Sequence, residues 1–265
     1  MSHSCDHAVA SAPRMTLADW LAEQPFTLTM SSGFFGFFAH TGMLEALVER
    51  GLRPARVTGS SAGALVGGLY AAGVDPAAIA QRLLSVRRVD FWDPAPGLGL
   101  LRGRKFRALL EAIVPGARLE AGRLPASLVV HDVLSHAPKS FSTGLLAPVI
   151  QASCAVPLLF QPIWLDGRPY LDGGILDRPG LSPVAAGERT LYHHLASRSP
   201  WRGTGSLEVP SRSELTSLVI EALPRSGPFK LAVGRAAYEQ ALAATRRALQ
   251  QPIGKSVSER AFRHD

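Results

Sequence analysis

Apolar and polar positions alternate through Phe26-Thr27-Leu28-Thr29-Met30, the pattern of a strand, and the chain then runs into Ser31-Ser32-Gly33-Phe34-Phe35-Gly36-Phe37-Phe38. That stretch reads as a Gly-bearing turn, followed by a helix over 39–50 that Gly51 ends. Upstream, Thr16 and Asp19 make a capping pattern for a short helix to about residue 23, with Leu17, Trp20 and Leu21 on one face. Further helices are predicted over 77–86, 105–114, 145–153 and 229–249, the last of them amphipathic. Strands are predicted over 128–130, 139–142, 190–195 and 215–221. Asp166-Gly167 marks a hairpin whose second arm ends in Tyr170-Leu171-Asp172-Gly173-Gly174. Residues 1–15 lack periodicity and are expected to be disordered, and 251–265 are expected to form a loose polar tail. Between them, 16–250 read as one domain.

The densest chemical signal lies in Arg56 to Gly73, RVTGSSAGALVGGLYAAG. A β-branched approach ends at Val57, and Gly59-Ser60-Ser61-Ala62-Gly63 matches G-x-S-x-G before a helix of small apolar residues. On such a strand-to-helix turn the chain doubles back sharply, so a side chain at either flank would strike a neighbouring element. The serine is pushed into a cleft beside the positive end of the helix, which favours an alkoxide and a tetrahedral oxyanion. Ser61 is therefore the candidate nucleophile. One strand earlier, the loop of Gly33, Phe34, Phe35 and Gly36 offers backbone amides without helical partners, a site for an oxyanion or a phosphate. A nucleotide site is disfavoured, because neither G-x-x-x-x-G-K-[ST] nor a full G-x-G-x-x-G is present. The neighbouring phenylalanines fit an acyl-lined mouth as well as a core. Asp172 ends a strand with Gly173 and Gly174 letting the backbone turn away, which leaves a carboxylate facing a cleft or an Asx turn.

Composition narrows the setting. With 265 residues and 46% hydrophobic content the chain builds a substantial core. Cys5 and Cys154 give neither metal spacing nor a disulfide framework, and no signal peptide or membrane span is recognisable, so a cytoplasmic protein without metal or cofactor is expected. The net charge of +7 gathers in Arg102, Arg104, Lys105 and Arg107, in Arg246-Arg247 and in the tail. No zinc-finger spacing, aromatic-interleaved strand or basic zipper accompanies it, which argues against nucleic acid and leaves a solvated surface or contact with anionic lipid. The apolar loop 91–101 reads equally as a lid and as a segment tucked into the core.

Taken together, these residues resemble the patatin-like phospholipase family over roughly 26–181. The likeness rests on the Gly-bearing loop with His40-Thr41-Gly42-Met43-Leu44, on Gly59 to Gly63, on 152–162, and on Asp172-Gly173-Gly174. It implies a three-layer α/β/α sandwich with a mostly parallel central sheet. It also implies a Ser61–Asp172 dyad, an oxyanion hole at Gly33 to Gly36, and a fatty-acyl lipid as substrate. Phe35 stands where that family commonly carries Arg or Lys, which is closer to the triacylglycerol-lipase branch. A fully solvated aspartate is a weak base toward a hydroxyl, so a working dyad requires Asp172 to be withdrawn from water.

Three rivals differ in what they require. An α/β-hydrolase would use Ser61, Asp172 and His193 or His194, but too little chain precedes Ser61 to hold the strands that usually come before that nucleophile. Otherwise these histidines, like His40, read as structural. A lipid-binding protein with little turnover would keep the fold without the chemistry, and an acyltransferase would differ only in its acceptor.

Overall fold

A computed structural model describes residues 15–196, 208–254 and 256–260. The first half of the chain forms α1 (Leu17–Glu23), β1 (Thr27–Met30), α2 (Phe37–Glu49), β2 (Arg56–Ser60), α3 (Ala62–Ala71), α4 (Pro76–Ser85), β3 (Gly99–Leu101) and α5 (Arg104–Ile113). Next come β4 (Ala126–Asp132), β5 (Ala137–Phe141), α6 (Leu146–Ser153), β6 (Leu158–Phe160), β7 (Ile163–Leu165) and β8 (Arg168–Asp172). The last elements are β9 (Thr190–Leu195), β10 (Leu215–Glu221), α7 (Val233–Ala248) and β11 (Ser256–Arg260).

The central sheet runs β11-β10-β9-β1-β2-β4-β8-β7, with β5 also paired to β4. From β11 to β4 every pairing is parallel, and β5, β8 and β7 add antiparallel neighbours at one side. The expected α/β architecture around a mostly parallel sheet is thus present. Parallel strands must be covered on both faces, and here the two covers differ in chemistry. Leu28, Met30, Val57, Leu191, Leu218 and Ile220 point into the main core, where Leu44, Leu47, Leu69, Ile150, Ala241 and Ala244 from the helices meet them. On the opposite face Thr29 hydrogen-bonds Thr58 at 2.7 Å, and Thr58 donates to the Gly180 carbonyl at 2.9 Å. Leu181 and Val184 pack there on Tyr192 and Leu215, so the connection 173–188 shields this face.

Three departures from the sequence reading have local causes. The tail expected to be loose pairs along β10 from Ser217↔Ser256 to Glu221↔Arg260. Among its described side chains Val257 is buried and Glu259 is tied to Arg247 at 3.1 Å and to Gln251, so backbone pairing and polar contacts contribute what hydropathy does not reveal. The last long helix starts at Val233 and not at residue 229. The apolar loop 91–101 is divided: Phe91 and Leu101 are buried, whereas Leu98 and Leu100 are exposed. Its end forms a small parallel sheet with β6, through Gly99↔Leu158 and Leu101↔Phe160. The expectation of disorder over 1–14 lies outside the described residues, as does Cys5.

Candidate active site

The site assembles where β1 and β2 end and their chains turn into α2 and α3, the crevice that an open parallel sheet leaves at its carboxyl edge. Ser61 occupies the turn with φ 53° and ψ −115°, a left-handed backbone that a side chain tolerates only when its surroundings impose it. Those surroundings can be named. A Cβ on Gly63 would run into the Met30 carbonyl, so β1 presses directly against the first turn of α3. The Ser61 amide donates to Ser153 Oγ at 2.8 Å, and Ser153 in turn donates to the Val129 carbonyl at 2.6 Å. Ser153, at the end of α6, lies in the stretch 152–162 on which the resemblance rests, but its residue type alone assigned it no role at the site.

Asp172 is the last residue of β8, in register with Val130, and its amide donates to the Ala155 carbonyl at 2.9 Å. Its carboxylate accepts from Gly174 N–H at 2.8 Å through Oδ1 and from Ser61 Oγ at 2.6 Å through Oδ2. Gly173 permits the turn because a Cβ there would meet the Val129 carbonyl. Both members are withdrawn from water, Ser61 7% and Asp172 2% exposed, which gives a short charge-assisted hydrogen bond its full strength. Cys154 Sγ lies 3.3 Å from the Ser61 carbonyl. Burial, and then the Asp172 charge, push its thiol well above the usual range, which keeps it protonated.

The loop after β1 is a tight turn in which Gly36 N–H donates to the Gly33 carbonyl at 2.9 Å and Phe35 takes φ 55°. Gly36 therefore offers no free amide. Among the described residues no hydrogen bond takes the amides of Gly33, Phe34 or Phe35, and all three residues line the space around Ser61. Ser31, which opens the loop, is held from several sides. Its amide donates to the His193 carbonyl at 3.2 Å, its hydroxyl accepts from Leu195 N–H at 3.0 Å, and its carbonyl lies 2.7 Å from His40 Nε2.

His40 and His193 are fully buried with their Nδ1 atoms 2.8 Å apart. A donor is needed toward the Ser31 carbonyl, so His40 carries its proton on Nε2 and His193 donates from Nδ1. His193 is thus occupied with His40, and His194 Nδ1 lies 3.1 Å from the Tyr192 hydroxyl. The hydroxyl of Ser61 meets Asp172 directly, so no histidine stands between them as the α/β-hydrolase alternative requires.

Burial lowers His40 to about 4 and also lowers His193 well below its ordinary value. In the unfolded chain both would take up a proton near about 6.5. Below that value the unfolded state binds more protons than the folded one, so stability falls as pH drops from about 6.5 toward about 4. The urea midpoint is accordingly expected to decrease over this window, and His40→Gln, which keeps a donor toward Ser31, is expected to flatten the slope. An unchanged slope in the variant would remove His40 from the account.

Two cavities meet at Ser61. One, of about 100 Å³, is bounded almost entirely by apolar side chains, among them Phe37, Leu65, Phe91, Trp92, Leu101, Phe106, Leu109 and Phe160. Phe35 belongs to this wall, whereas Phe38 is buried in the main core. The other, of about 600 Å³, is wider and carries Ser32, Asp172, Arg178, Arg225 and Ser226. Leu65 and Phe106 were not recognised from sequence as cavity residues, because their periodicity is that of any packed helix. Among the described residues no group of three His, Cys, Asp or Glu side chains is arranged to hold a metal ion. Among them, too, no helix is long and apolar enough to cross a membrane.

Comparison with known proteins agrees with this arrangement of elements. The profile of the patatin-like phospholipase family matches residues 28–185, more than half of the chain. An uncharacterised NTE family protein of Mycobacterium tuberculosis is 35% identical over 179 residues, covering 66% of this chain and 47% of the relative. Lysophospholipase NTE1 of Candida glabrata is 29% identical over 189 residues, covering 67% of this chain and 11% of the relative. The chain thus spans about half the length of the mycobacterial relative and a small part of the yeast one. Among solved structures, VipD from Legionella pneumophila shares the fold at a TM-score of 0.56 and 17% identity, covering 76% of this chain and 51% of VipD. With a mostly parallel sheet, a serine on the β2–α3 turn and the family match over both, the chain belongs to the patatin-like phospholipase family.

Proposed function

We propose that the protein is a serine acyl hydrolase that cleaves fatty-acyl esters of lipids through a Ser61–Asp172 dyad. The observation that carries this reading is the 2.6 Å hydrogen bond from Ser61 Oγ to a buried carboxylate at the junction of an apolar cavity and a wider one of mixed lining. The acyl chain enters the apolar cavity and the alcohol half of the ester stays in the wider one. As Ser61 Oγ attacks the ester carbonyl, Asp172 Oδ2 takes its proton, and the Gly174 amide on Oδ1 keeps the carboxyl in place. Negative charge on the carbonyl oxygen is met by the amides of Gly33, Phe34 and Phe35. Collapse breaks the bond to the alcohol, which leaves with the proton from Asp172, and the acyl group remains on Ser61. Water then attacks the acyl-enzyme with Asp172 as base and releases the fatty acid. A lysophospholipase among the relatives fits an ester of this kind.

Leu98 just before β3, Leu100 within it and Leu158 at the start of β6 are exposed, with Arg102 and Arg104 following β3 in the chain. Through such exposed leucines and the basic residues beside them the enzyme meets a lipid surface, in peripheral contact. Hydrolysis of p-nitrophenyl esters of increasing acyl length tests the assignment of the cavities. Activity is expected to rise with chain length, and Leu109→Trp, which fills the apolar cavity, is expected to lower turnover of long esters about tenfold while sparing short ones. A uniform loss at all lengths would assign the acyl chain elsewhere.

A further inference from the structure

Ser61 and Asp172 do not sit on neighbouring strands. The sheet places β4 between β2 and β8, and Ser61 lies one residue beyond the end of β2. Register fixes Ser60 opposite Val129 and Asp172 opposite Val130, and leaves the Ser61 peptide outside the strand ladder. Three consecutive residues at the end of α6 reach both members of the pair. Ser153 Oγ accepts from the Ser61 amide at 2.8 Å and donates to the Val129 carbonyl at 2.6 Å. The protonated Cys154 Sγ donates at 3.3 Å to the Ser61 carbonyl, which also accepts from Leu65 N–H at 2.9 Å. The Ala155 carbonyl accepts from the Asp172 amide at 2.9 Å. The segment 153–155 thus spans β4, anchored on it at Val129, with the serine on one side and the carboxylate on the other.

We infer that Ser153 is the positioning residue of Ser61, and that 153–155 acts as one clamp setting the distance between Ser61 Oγ and the Asp172 carboxylate. The need for a clamp arises in the turn itself. At φ 53° Ser61 holds a backbone that persists only where contacts impose it. Ser153 is fully buried, so water cannot replace either of its hydrogen bonds, and its hydroxyl accepts from the turn while donating to β4. The Ser61 amide is thereby committed to α6 and does not serve the carbonyl oxygen of a substrate. Without the hydroxyl the turn is free to relax, and a misplacement of about 1 Å between reacting groups costs about 10²-fold in rate. This clamp presupposes the acyl-hydrolase reading of Ser61 and Asp172, and adds to it what keeps their oxygens at 2.6 Å.

The test separates the number of working sites from the turnover of each. A fluorophosphonate titrates the reactive serine to completion, and hydrolysis of p-nitrophenyl butyrate is expressed per titrated site. Ser153→Ala is expected to lower kcat per site by about 10–100-fold, with KM within about twofold of the parent. Ser153→Thr, which keeps the hydroxyl, is expected to recover most of that loss. Cys154→Ala is expected to lower kcat per site about threefold, because a thiol is a weak donor, and Cys154→Ser to restore it. A merely structural serine gives a different result: fewer titratable sites and a lower melting temperature, with parental turnover in each site that remains. That result in Ser153→Ala would overturn the clamp, as would an equal loss in folded Ser153→Ala and Ser153→Thr. Should neither Ser153 variant fold, the Cys154 pair decides. Lower turnover per site in Cys154→Ala, restored in Cys154→Ser, upholds the clamp, and any other result overturns it. A parent that neither hydrolyses the ester nor takes the label marks failure of the hydrolase reading itself, and the role of the clamp goes with it.

Discussion

Asp172→Asn is expected to lower kcat/KM for fatty-acyl esters by about 10³-fold or more, and Ser61→Ala by at least as much, with both variants folded. Asparagine has the volume of aspartate, and its amide oxygen can still accept from Gly174 N–H. What it lacks is a lone pair of carboxylate basicity facing Ser61 Oγ, so the proton that must leave the hydroxyl has no acceptor. Removing either member therefore costs the same step, and the double variant is expected to be no slower than the slower single one. Near-equality of the three is the mark of groups acting as a unit. A fluorophosphonate probe is expected to label the parent at Ser61 and to label Asp172→Asn slowly. The measurement is steady-state hydrolysis across acyl lengths, with circular dichroism to compare folding. Retention of a tenth of parental activity in Asp172→Asn would falsify the dyad. Loss of structure in that variant alone would leave Ser61→Ala and the labelling to decide.

Gly63→Ala is expected to lower the melting temperature by about 5–10 °C and to depress turnover in whatever fraction folds. The added methyl would overlap the Met30 carbonyl, and neither neighbour is a side chain that can swing aside. Relief requires α3 to move away from the end of β1. That movement shifts Ser61 relative to the loop of Gly33, Phe34 and Phe35, so stability and chemistry decline together. Overpacking of this kind typically costs about 1–3 kcal/mol, and more where backbone must yield. Gly227→Ala serves as the contrast, since the nearest atom to its Cβ is Phe34 Cε1 at 3.9 Å, an ordinary contact. It is expected to change the melting temperature little. Differential scanning fluorimetry on the two variants separates a close-packed glycine from an incidental one, and an equal effect in both would refute the packing argument.

Much of the fold was legible because its signals are local. The hairpin at Asp166-Gly167 appears with φ 48° and 75° at those two residues, the left-handed pair that a two-residue turn demands. The capping pattern at Thr16 and Asp19 forms in both directions, through the hydroxyl at 3.2 Å and the carboxylate at 3.0 Å. The helix α2 ends at Glu49, one residue short of the expected end at 50, and Gly51 follows with φ 73°. The edge strand β11 was illegible for the opposite reason. Its pairing is made by backbone groups that every residue has, and its side chains alternate too weakly to register as a strand.

The candidate site divides along the same line. Local chemistry pointed to Ser61 and to Asp172, because a strand-to-helix turn needs glycine at its flanks and a departing strand needs glycine after its carboxylate. Nothing local links two residues 111 positions apart, and only the antiparallel placement of β8 on β4 brings their oxygens to 2.6 Å. Ser153, Arg178 and the His40–His193 pair belong to the same class, each acquiring its partner across the sheet or from another element. The two cavities are likewise a product of packing, since their walls come from segments between residues 32 and 237 that share no pattern. The sequence by itself determined which short stretches turn sharply and which faces are apolar, because these follow from backbone sterics and hydropathy within a few residues. Tertiary structure alone decided which hydroxyl meets which carboxylate, which amides of the loop remain free, and where the charges stand, because those depend on the register of strands far apart in the chain.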